Sequence, residues 1–268
     1  MRYNRIASIA AVASLVVAAS FIPRRAEAQS LASRVAAVRD GNVRVSFAAK
    51  PEVCGYGGSI SRGGNSRMNW NSNYSEDVVY DEECSHSPVR LVLSVDNGRV
   101  RKLRTYVGGR WRTPVTPTTD LGIVSAKEAT DFLLSLASSD NGAVGREAIL
   151  PVTLADSVTV WPQLFKLARD ESRPHETRKQ AVFWLGQAAG DVIEPDHGLR
   201  GKETDEEDVK KQAVFALSQR RNGEAVPALI QVARNNRDPS VRRTALFWLG
   251  QSCDPRAITL FEEILRRN

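Results

Sequence analysis

The sequence predicts a mostly α-helical protein, in which a small β-rich domain precedes a C-terminal α-solenoid of helix pairs. Within residues 40–115, the stretches 43–47 and 89–95 alternate apolar and polar side chains, as strands do. A ten-residue phrase then recurs at a constant interval of 32 residues, which is typical of repeats built from paired helices. The copies are RKQAVFWLGQ at 178–187, KKQAVFALSQ at 210–219 and RRTALFWLGQ at 242–251.

Residues 1–28 have the pattern of a signal peptide. Arg2 and Arg5 precede an apolar run over 6–22, and the small residues Ala26 and Ala28 offer a cleavage site. A transmembrane helix is the alternative, but the run has only 17 residues and is rich in Ala and Ser. We therefore expect export to the periplasm or the extracellular space, with no stable insertion in a membrane.

The basic character of the chain is modest once this leader is set aside. The whole chain carries a formal charge of +6. The leader holds four arginines and one glutamate, so half of that excess leaves with it. A remaining charge of +3 is a weak argument for an acidic partner, and we expect no binding to nucleic acid.

The three cysteines predict one disulfide and no metal centre. In an oxidising compartment two cysteines tend to pair, and Cys54 and Cys84 lie in the same compositional segment. Cys253 follows a repeat phrase, where a half-buried thiol is the ordinary outcome. The histidines are scattered along the chain, so we expect no metal and no cofactor.

Local patterns outline the β-rich part, which we assign to residues 29–118. Strands are predicted at 43–47 and 89–95, and Asn97-Gly98 supplies a two-residue hairpin turn. The returning strand at 99–107 changes phase, which predicts a bulge between Val100 and Leu103. The long Gly-, Asn- and Ser-rich stretch between the strands is a loop that the Cys54–Cys84 link would anchor.

Residues 119–268 are assigned to the helical solenoid. Ser125 and Glu128 form a capping box ahead of the first long helix. A second phrase at 161–174 returns at 226–239, and each occurrence precedes a copy of the first phrase. After Gln187 the expected second helix is missing, and we interpret 188–208 as a loop with at most one helical turn.

The helical period places one face of each phrase in the core. At 100° per residue, four positions of the last copy fall within one arc of roughly 100°. A single helix pair cannot bury such a face, so stacking against neighbouring units must complete the core. The positions are Val241, Ala245, Trp248 and Leu249, with equivalents Thr177, Ala181, Trp184 and Leu185, and Val209, Ala213, Ala216 and Leu217.

The string D-P-x-V-R-x-x-A-L-x-x-L-G over 238–250 resembles bacterial HEAT repeats of the short type grouped with phycobilisome-lyase HEAT-like repeats. The resemblance covers 125–268 and is strongest from 209 onward. The whole chain is similar to exported bacterial HEAT-repeat proteins that carry a small β-rich N-terminal part. This resemblance implies a protein-binding scaffold.

The sequence favours no catalytic function. Cys253 is the one thiol outside the expected disulfide, and Arg256 is the nearest cation along the chain, so an activated thiolate is a weak hypothesis. The acidic run at 203–208 lacks the spacing of a calcium loop and fits the start of a helix better. We therefore predict that the protein is not an enzyme.

Columns of like residues, formed by the repetition, are the candidate partner-binding positions. Arg178, Lys210 and Arg242 are interpreted as ion pairs between repeats. The next column points away from the core and could bind an acidic partner, or could simply be solvated. An aromatic column could be exposed or could pack between repeats. The candidate residues are Lys179, Lys211 and Arg243, with Phe183, Phe215 and Phe247.

These observations predict a non-catalytic scaffold or adaptor in the bacterial cell envelope, whose partner is another protein. Two alternatives stay open. The protein could be an accessory or regulatory subunit of an enzyme, as the lyase-like repeat type implies. It could also bind an anionic envelope polymer through the basic hairpin at 99–112, although the cations there could equally form the solvent face of the hairpin.

Overall fold

The computed structural model describes residues 29–62, 67–68, 76–140, 142–193, 205–219 and 224–267. The predicted signal peptide lies outside these residues. The strands are β1 (Gly41–Phe47), β2 (Val53–Gly55), β3 (Ile60–Arg62), β4 (Arg67–Met68), β5 (Val78–Val79), β6 (Val89–Asp96), β7 (Arg99–Val107), β8 (Arg110–Trp111) and β9 (Thr118–Ile123). The helices are α1 (Leu31–Ala37), α2 (Ala126–Ser139), α3 (Ala143–Glu147), α4 (Ile149–Leu154), α5 (Trp161–Arg169), α6 (His175–Ile193), α7 (Asp205–Ser218), α8 (Ala225–Asn235), α9 (Pro239–Gln251) and α10 (Pro255–Arg266).

The N-terminal part is built on a four-stranded sheet of order β7-β6-β1-β9. The β6–β7 hairpin turns at Asn97 and Gly98, whose φ angles of 50° and 72° are those of the predicted turn. The predicted bulge is confirmed, because Ser94 pairs with Lys102 while Val95 pairs with Val100. The extra residue restores the apolar phase of the returning strand.

A disulfide joins Cys54 to Cys84, with their Cα atoms 5.3 Å apart. It closes the long segment between β1 and β6, as the sequence predicted, and ties β2 to the chain just before β6. Smaller pairings lie beside the main sheet: β2-β3-β4 form one, and β5 pairs with β8.

The sheet and the helices share one core. Buried side chains of the sheet, such as Phe47, and of the helices, such as Leu133 and Leu164, belong to one continuous hydrophobic cluster. β9 pairs in parallel with β1 up to Ile123, so the sheet extends beyond the boundary predicted at residue 118. The division into two domains stays a prediction.

One of the two hydrogen bonds of the predicted capping box is present at the start of α2. Ser125 Oγ accepts from the Glu128 N–H at 3.1 Å.

The prediction of a loop at 188–208 is wrong at both ends. α6 continues to Ile193, and α7 already begins at Asp205. Ala189 is fully buried, and Val192 and Ile193 pack against the core. These residues follow Leu185 at helical spacing, so the apolar face of the phrase extends for two more turns.

The helices pack in an order that differs from their order in the chain. α6 packs chiefly against α9, and α9 also packs against α7. A β-carbon at Gly186 would lie 3.0 Å from the Leu246 carbonyl oxygen, and one at Gly190 would lie 3.2 Å from Arg243 Cγ. Residues later in α6 therefore contact residues earlier in α9, so the two helices are antiparallel.

The relation between α7 and α9 is different. Lys210 Nζ lies 3.8 Å from Asp238 Oδ2, and the rings of Phe215 and Trp248 are 5.0 Å apart, so α7 and α9 run in the same direction. Parallel neighbours are the arrangement that a solenoid predicts. In a regular solenoid, however, each repeat contacts only the repeats next to it in the chain. Because α9 contacts both α7 and the more distant α6, a regular α-solenoid is not confirmed.

The predicted buried face is present in two of the three copies. Ala181, Trp184 and Leu185 of α6 are at most 1% exposed, and Ala245 and Leu249 of α9 are fully buried. In α7, by contrast, Ala213 and Ala216 are exposed and Leu217 is half-buried. The expectation that all three copies bury this face is therefore wrong for α7 at these positions. Among the α7 side chains whose burial is described, Val214 is the buried one.

Candidate functional site: an aromatic face on three helices

The phenylalanine column forms a continuous surface, which we call the aromatic face: Phe183 of α6, Phe247 and Trp248 of α9, and Phe215 of α7. The Phe183 and Phe247 rings lie 6.2 Å apart, and those of Phe247 and Trp248 lie 5.1 Å apart. Trp248 then contacts Phe215 at 5.0 Å. Separations of this size are favourable for aromatic pairs.

This arrangement satisfies both interpretations of the phenylalanine column. The rings pack between repeat copies, which is one of the two roles that the sequence left open. Phe215 and Phe247 nevertheless remain 42% and 37% exposed, and they are among the most exposed large apolar side chains of the described residues. Contiguous apolar exposure of this kind marks interaction surfaces in folded proteins.

The sequence did not assign Trp248 to this surface, because its position falls within the predicted buried arc. In the structure Trp248 is half-buried and joins the two exposed phenylalanines. The equivalent residue of α6, Trp184, is 1% exposed. One signal was present in the sequence: the α7 copy has Ala216 at this position, and a small residue beside a tryptophan-bearing helix leaves room for an aromatic ring.

A cation precedes each phenylalanine by one helical turn: Lys179, Lys211 and Arg243. Residues four apart lie on the same side of a helix, so the cations flank the aromatic face. All three are half-buried, which is less exposure than the column geometry suggested. The stem of Arg243 lies against α6 near Gly190. Their role in binding a partner stays a prediction.

The neighbouring basic column has mixed structural roles. Lys210 forms the expected ion pair between copies, with Asp238 at the start of α9. Arg242 instead donates from Nη1 to the Asn236 carbonyl at 2.8 Å, which closes the turn before its own helix. Arg178 Nε is buried, with no hydrogen-bond partner among the described residues.

The basic hairpin of the sheet uses much of its charge internally. Arg104 donates to the Asp77 carboxylate at 2.6 Å, and Tyr106 donates to the same group at 2.8 Å. Arg44 stacks over the Trp111 ring at 4.9 Å. Arg112 Nε donates to the Val78 carbonyl at 3.0 Å. Fewer cations are therefore available for an anionic polymer than the hairpin sequence suggests.

Cys253 lacks the environment of a reactive thiol. Burial raises the pKa of the Cys253 thiol and outweighs the charge of Lys179, which lowers it; Glu176 raises the pKa and Arg178 lowers it by smaller amounts. A nucleophilic cysteine needs its pKa lowered instead. Within the described ranges no group of three or more His, Cys, Asp or Glu side chains could hold a metal ion. The side chains of the acidic run at 203–208 lie outside the described part of the chain.

Comparison with known proteins gives a match for the C-terminal helices. Residues 200–268 match the family of HEAT repeats. The match supports a HEAT-repeat protein and covers the segment from α7 to α10, where the sequence resemblance is strongest. HEAT repeats are commonly scaffolds for protein interaction, which is consistent with a non-catalytic adaptor. No curated protein and no solved structure matches this chain. Across the described helices, none combines the length and apolarity needed to cross a membrane.

Proposed function

We propose that this protein is a non-catalytic scaffold or adaptor that binds another protein through its aromatic face. The observation that carries the proposal is the exposure of Phe215 and Phe247, at 42% and 37%, on either side of Trp248. The HEAT repeats that present these rings belong to a family that commonly serves protein recognition.

The chemistry of the face indicates what kind of partner it suits. Aromatic side chains dominate the energetic centres of protein interfaces, because they bury a large area at low entropic cost. Lys179, Lys211 and Arg243 lie at the border of the aromatic face, where charges add orientation and selectivity more than affinity. A helix or loop with an apolar centre and acidic flanks would match both features.

We further propose that the scaffold works in the bacterial cell envelope after removal of residues 1–28. The Cys54–Cys84 disulfide supports this location, since such bonds persist in exported proteins and are rare in the cytosol. The small charge excess that remains after cleavage favours a protein partner over a nucleic acid.

The test compares exposed apolar residues inside and outside the aromatic face. Partners are captured from the envelope with the full exported chain, and their binding is then measured with Phe215→Ser, Phe247→Ser and Val115→Ser. Val115 is 85% exposed and does not belong to the aromatic face, so it is the matched control. Loss of an aromatic anchor should weaken binding at least about tenfold.

Two results would contradict the proposal. If Val115→Ser weakens binding as much as the phenylalanine variants do, the effect is general surface apolarity. If all three variants bind like the unaltered chain, the aromatic face is not the contact surface. Circular dichroism of each variant is the control for folding.

A further inference from the structure

The edge of the sheet at β7 offers a second place where a partner could bind. In the order β7-β6-β1-β9, β7 has β6 as its strand neighbour in the main sheet. Along its other edge it lies beside α3 and, at Val107, beside the segment that follows β2. A strand edge presents N–H and C=O groups that can pair with an added strand.

The geometry indicates which groups of β7 face outward. The Val107 carbonyl accepts from the Gly57 N–H at 2.8 Å, on the side of β7 away from β6. Backbone groups alternate between the two edges of a strand, so Leu103 and Thr105 turn theirs to the same outer edge. Within the described ranges, neither residue makes a hydrogen bond across that edge.

A cleft of about 340 Å³ lies along this edge. One wall is the consecutive stretch 102–105 of β7. The opposite wall consists of Arg146 and Glu147 of α3, Leu150 of α4 and Gln180 of α6. The cleft therefore combines an outward-facing strand edge with a wall of side chains, as in sites that bind peptides by strand addition.

The charges in the cleft are incompletely matched. Lys102 and Arg146 form no ion pair with any described residue, whereas Arg104 is held by Asp77. Glu147 Oε2 is buried and has no hydrogen-bond partner in the described part of the chain. An oxygen that is buried without a donor is costly, so a ligand that supplies one would be favoured.

We infer that this cleft binds an extended, acidic segment of a partner protein, which adds as a strand to the outer edge of β7. Acidic side chains of the segment face Lys102 and Arg146, and a donor from the segment reaches Glu147. At about 3.3 Å per residue, the wall formed by 102–105 matches about four residues of an extended chain. The inference extends the proposed scaffold function, but it shares no residue with the aromatic face.

The test uses short random peptides displayed on phage and selected against the full exported chain. The enriched sequences should be acidic, and the synthetic peptides should bind saturably. Arg146→Glu should weaken their binding about tenfold or more. Arg110→Glu, which makes the same charge change on an exposed residue outside the cleft, should leave it nearly unchanged.

Backbone pairing is tested separately from charge. Thr105→Pro removes an N–H that faces the cleft and leaves the pairing with β6 intact, so it should weaken peptide binding while the thermal midpoint changes little. Hydrogen exchange at the Leu103 and Thr105 amides should slow when the peptide binds. A peptide methylated at alternate backbone nitrogens should fail to bind.

Several outcomes would overturn the inference. Selection could yield no peptide whose binding depends on Arg146, or Arg110→Glu could weaken binding as strongly as Arg146→Glu. Slower exchange at Leu103 and Thr105 that follows protein concentration without peptide would assign the edge to a second copy of the chain. Because Phe215→Ser and Phe247→Ser do not alter the cleft, loss of peptide binding and loss of the captured partner can be told apart.

Discussion

The same phrase has two different environments in this molecule. In α6 and α9 the central alanines, Ala181 and Ala245, are fully buried, and the two helices pack against each other. In α7 the equivalent Ala213 is exposed. A repeated sequence therefore defines which face a helix can bury, while the neighbouring helices decide whether that face is buried.

Differences between the copies follow these environments. Gly186 and Gly250 lie at the contact between α6 and α9, where a β-carbon at Gly186 would approach the Gly250 Cα atom to 3.0 Å. The α7 copy has Ser218 at this position, and its hydroxyl donates to the Phe215 carbonyl within the helix. A helix that makes no such close approach can accept a side chain there.

The largest expected effect is a difference in stability when the equivalent leucine of each copy is replaced by alanine. Leu185→Ala and Leu249→Ala remove side chains that are fully buried and should lower the free energy of unfolding by about 2–5 kcal/mol. Leu217→Ala, at the half-buried position of α7, should cost about 1 kcal/mol or less. Urea denaturation followed by circular dichroism measures all three. Equal losses would mean that α7 buries its face as fully as its counterparts.

A smaller effect tests the close contact between α6 and α9. Gly186→Ala gains up to about 1 kcal/mol in helix propensity. Overpacking against Gly250, Leu246 and Phe261 costs about 1–3 kcal/mol, so we expect a net loss near 1 kcal/mol. Ser218→Ala is the matched control in α7 and should change the free energy of unfolding by no more than about 0.5 kcal/mol.

A stabilised Gly186→Ala variant would contradict the packing of these helices. Their separation would then have to exceed the approach seen between Gly186 and Gly250. The thermal midpoint of the same variants provides an independent measurement of the sign.

Features set by local residues were predictable from the sequence. The Asn97-Gly98 turn, the bulge between Val100 and Leu103 and the Ser125 cap each depend on a few neighbouring positions. The phrase likewise identified the helices that carry it. Such features depend on backbone conformation and on side chains a few residues away, which a single sequence displays directly.

Features that depend on distant contacts were not predictable in the same way. The 32-residue interval indicates equivalent helices, but it does not say that α9 contacts α6 as well as α7. The contact with α6 places Phe247 beside Phe183, and the contact with α7 places Trp248 beside Phe215. The cleft at β7 could not be predicted either, because its lining depends on which helices lie beside the edge of the sheet.

The smallest expected effect concerns Asp238, which connects α9 to α7. Its carboxylate caps α9 by accepting from the Ser240 N–H at 3.0 Å, and it pairs with Lys210 of α7. Burial alone would raise the pKa of Asp238, but hydrogen bonds from Ser240 and Val241 and the charge of Lys210 outweigh it and lower the pKa. Because its pKa is lower in the folded state, the ionised Asp238 stabilises the fold at any pH above the ordinary pKa of a carboxyl group. This stabilisation is lost as the pH falls through the lowered pKa.

Asp238→Asn separates the cap from the charge. Asparagine still caps a helix, so the variant should lose only the attraction to Lys210, about 1 kcal/mol or less at neutral pH. The unaltered chain should lose this part of its stability as pH falls below about 4, whereas the variant should lose less over the same range. Denaturation curves between neutral and acidic pH measure the difference. Parallel curves for the two proteins would show that the link between α9 and α7 does not depend on the Asp238 charge.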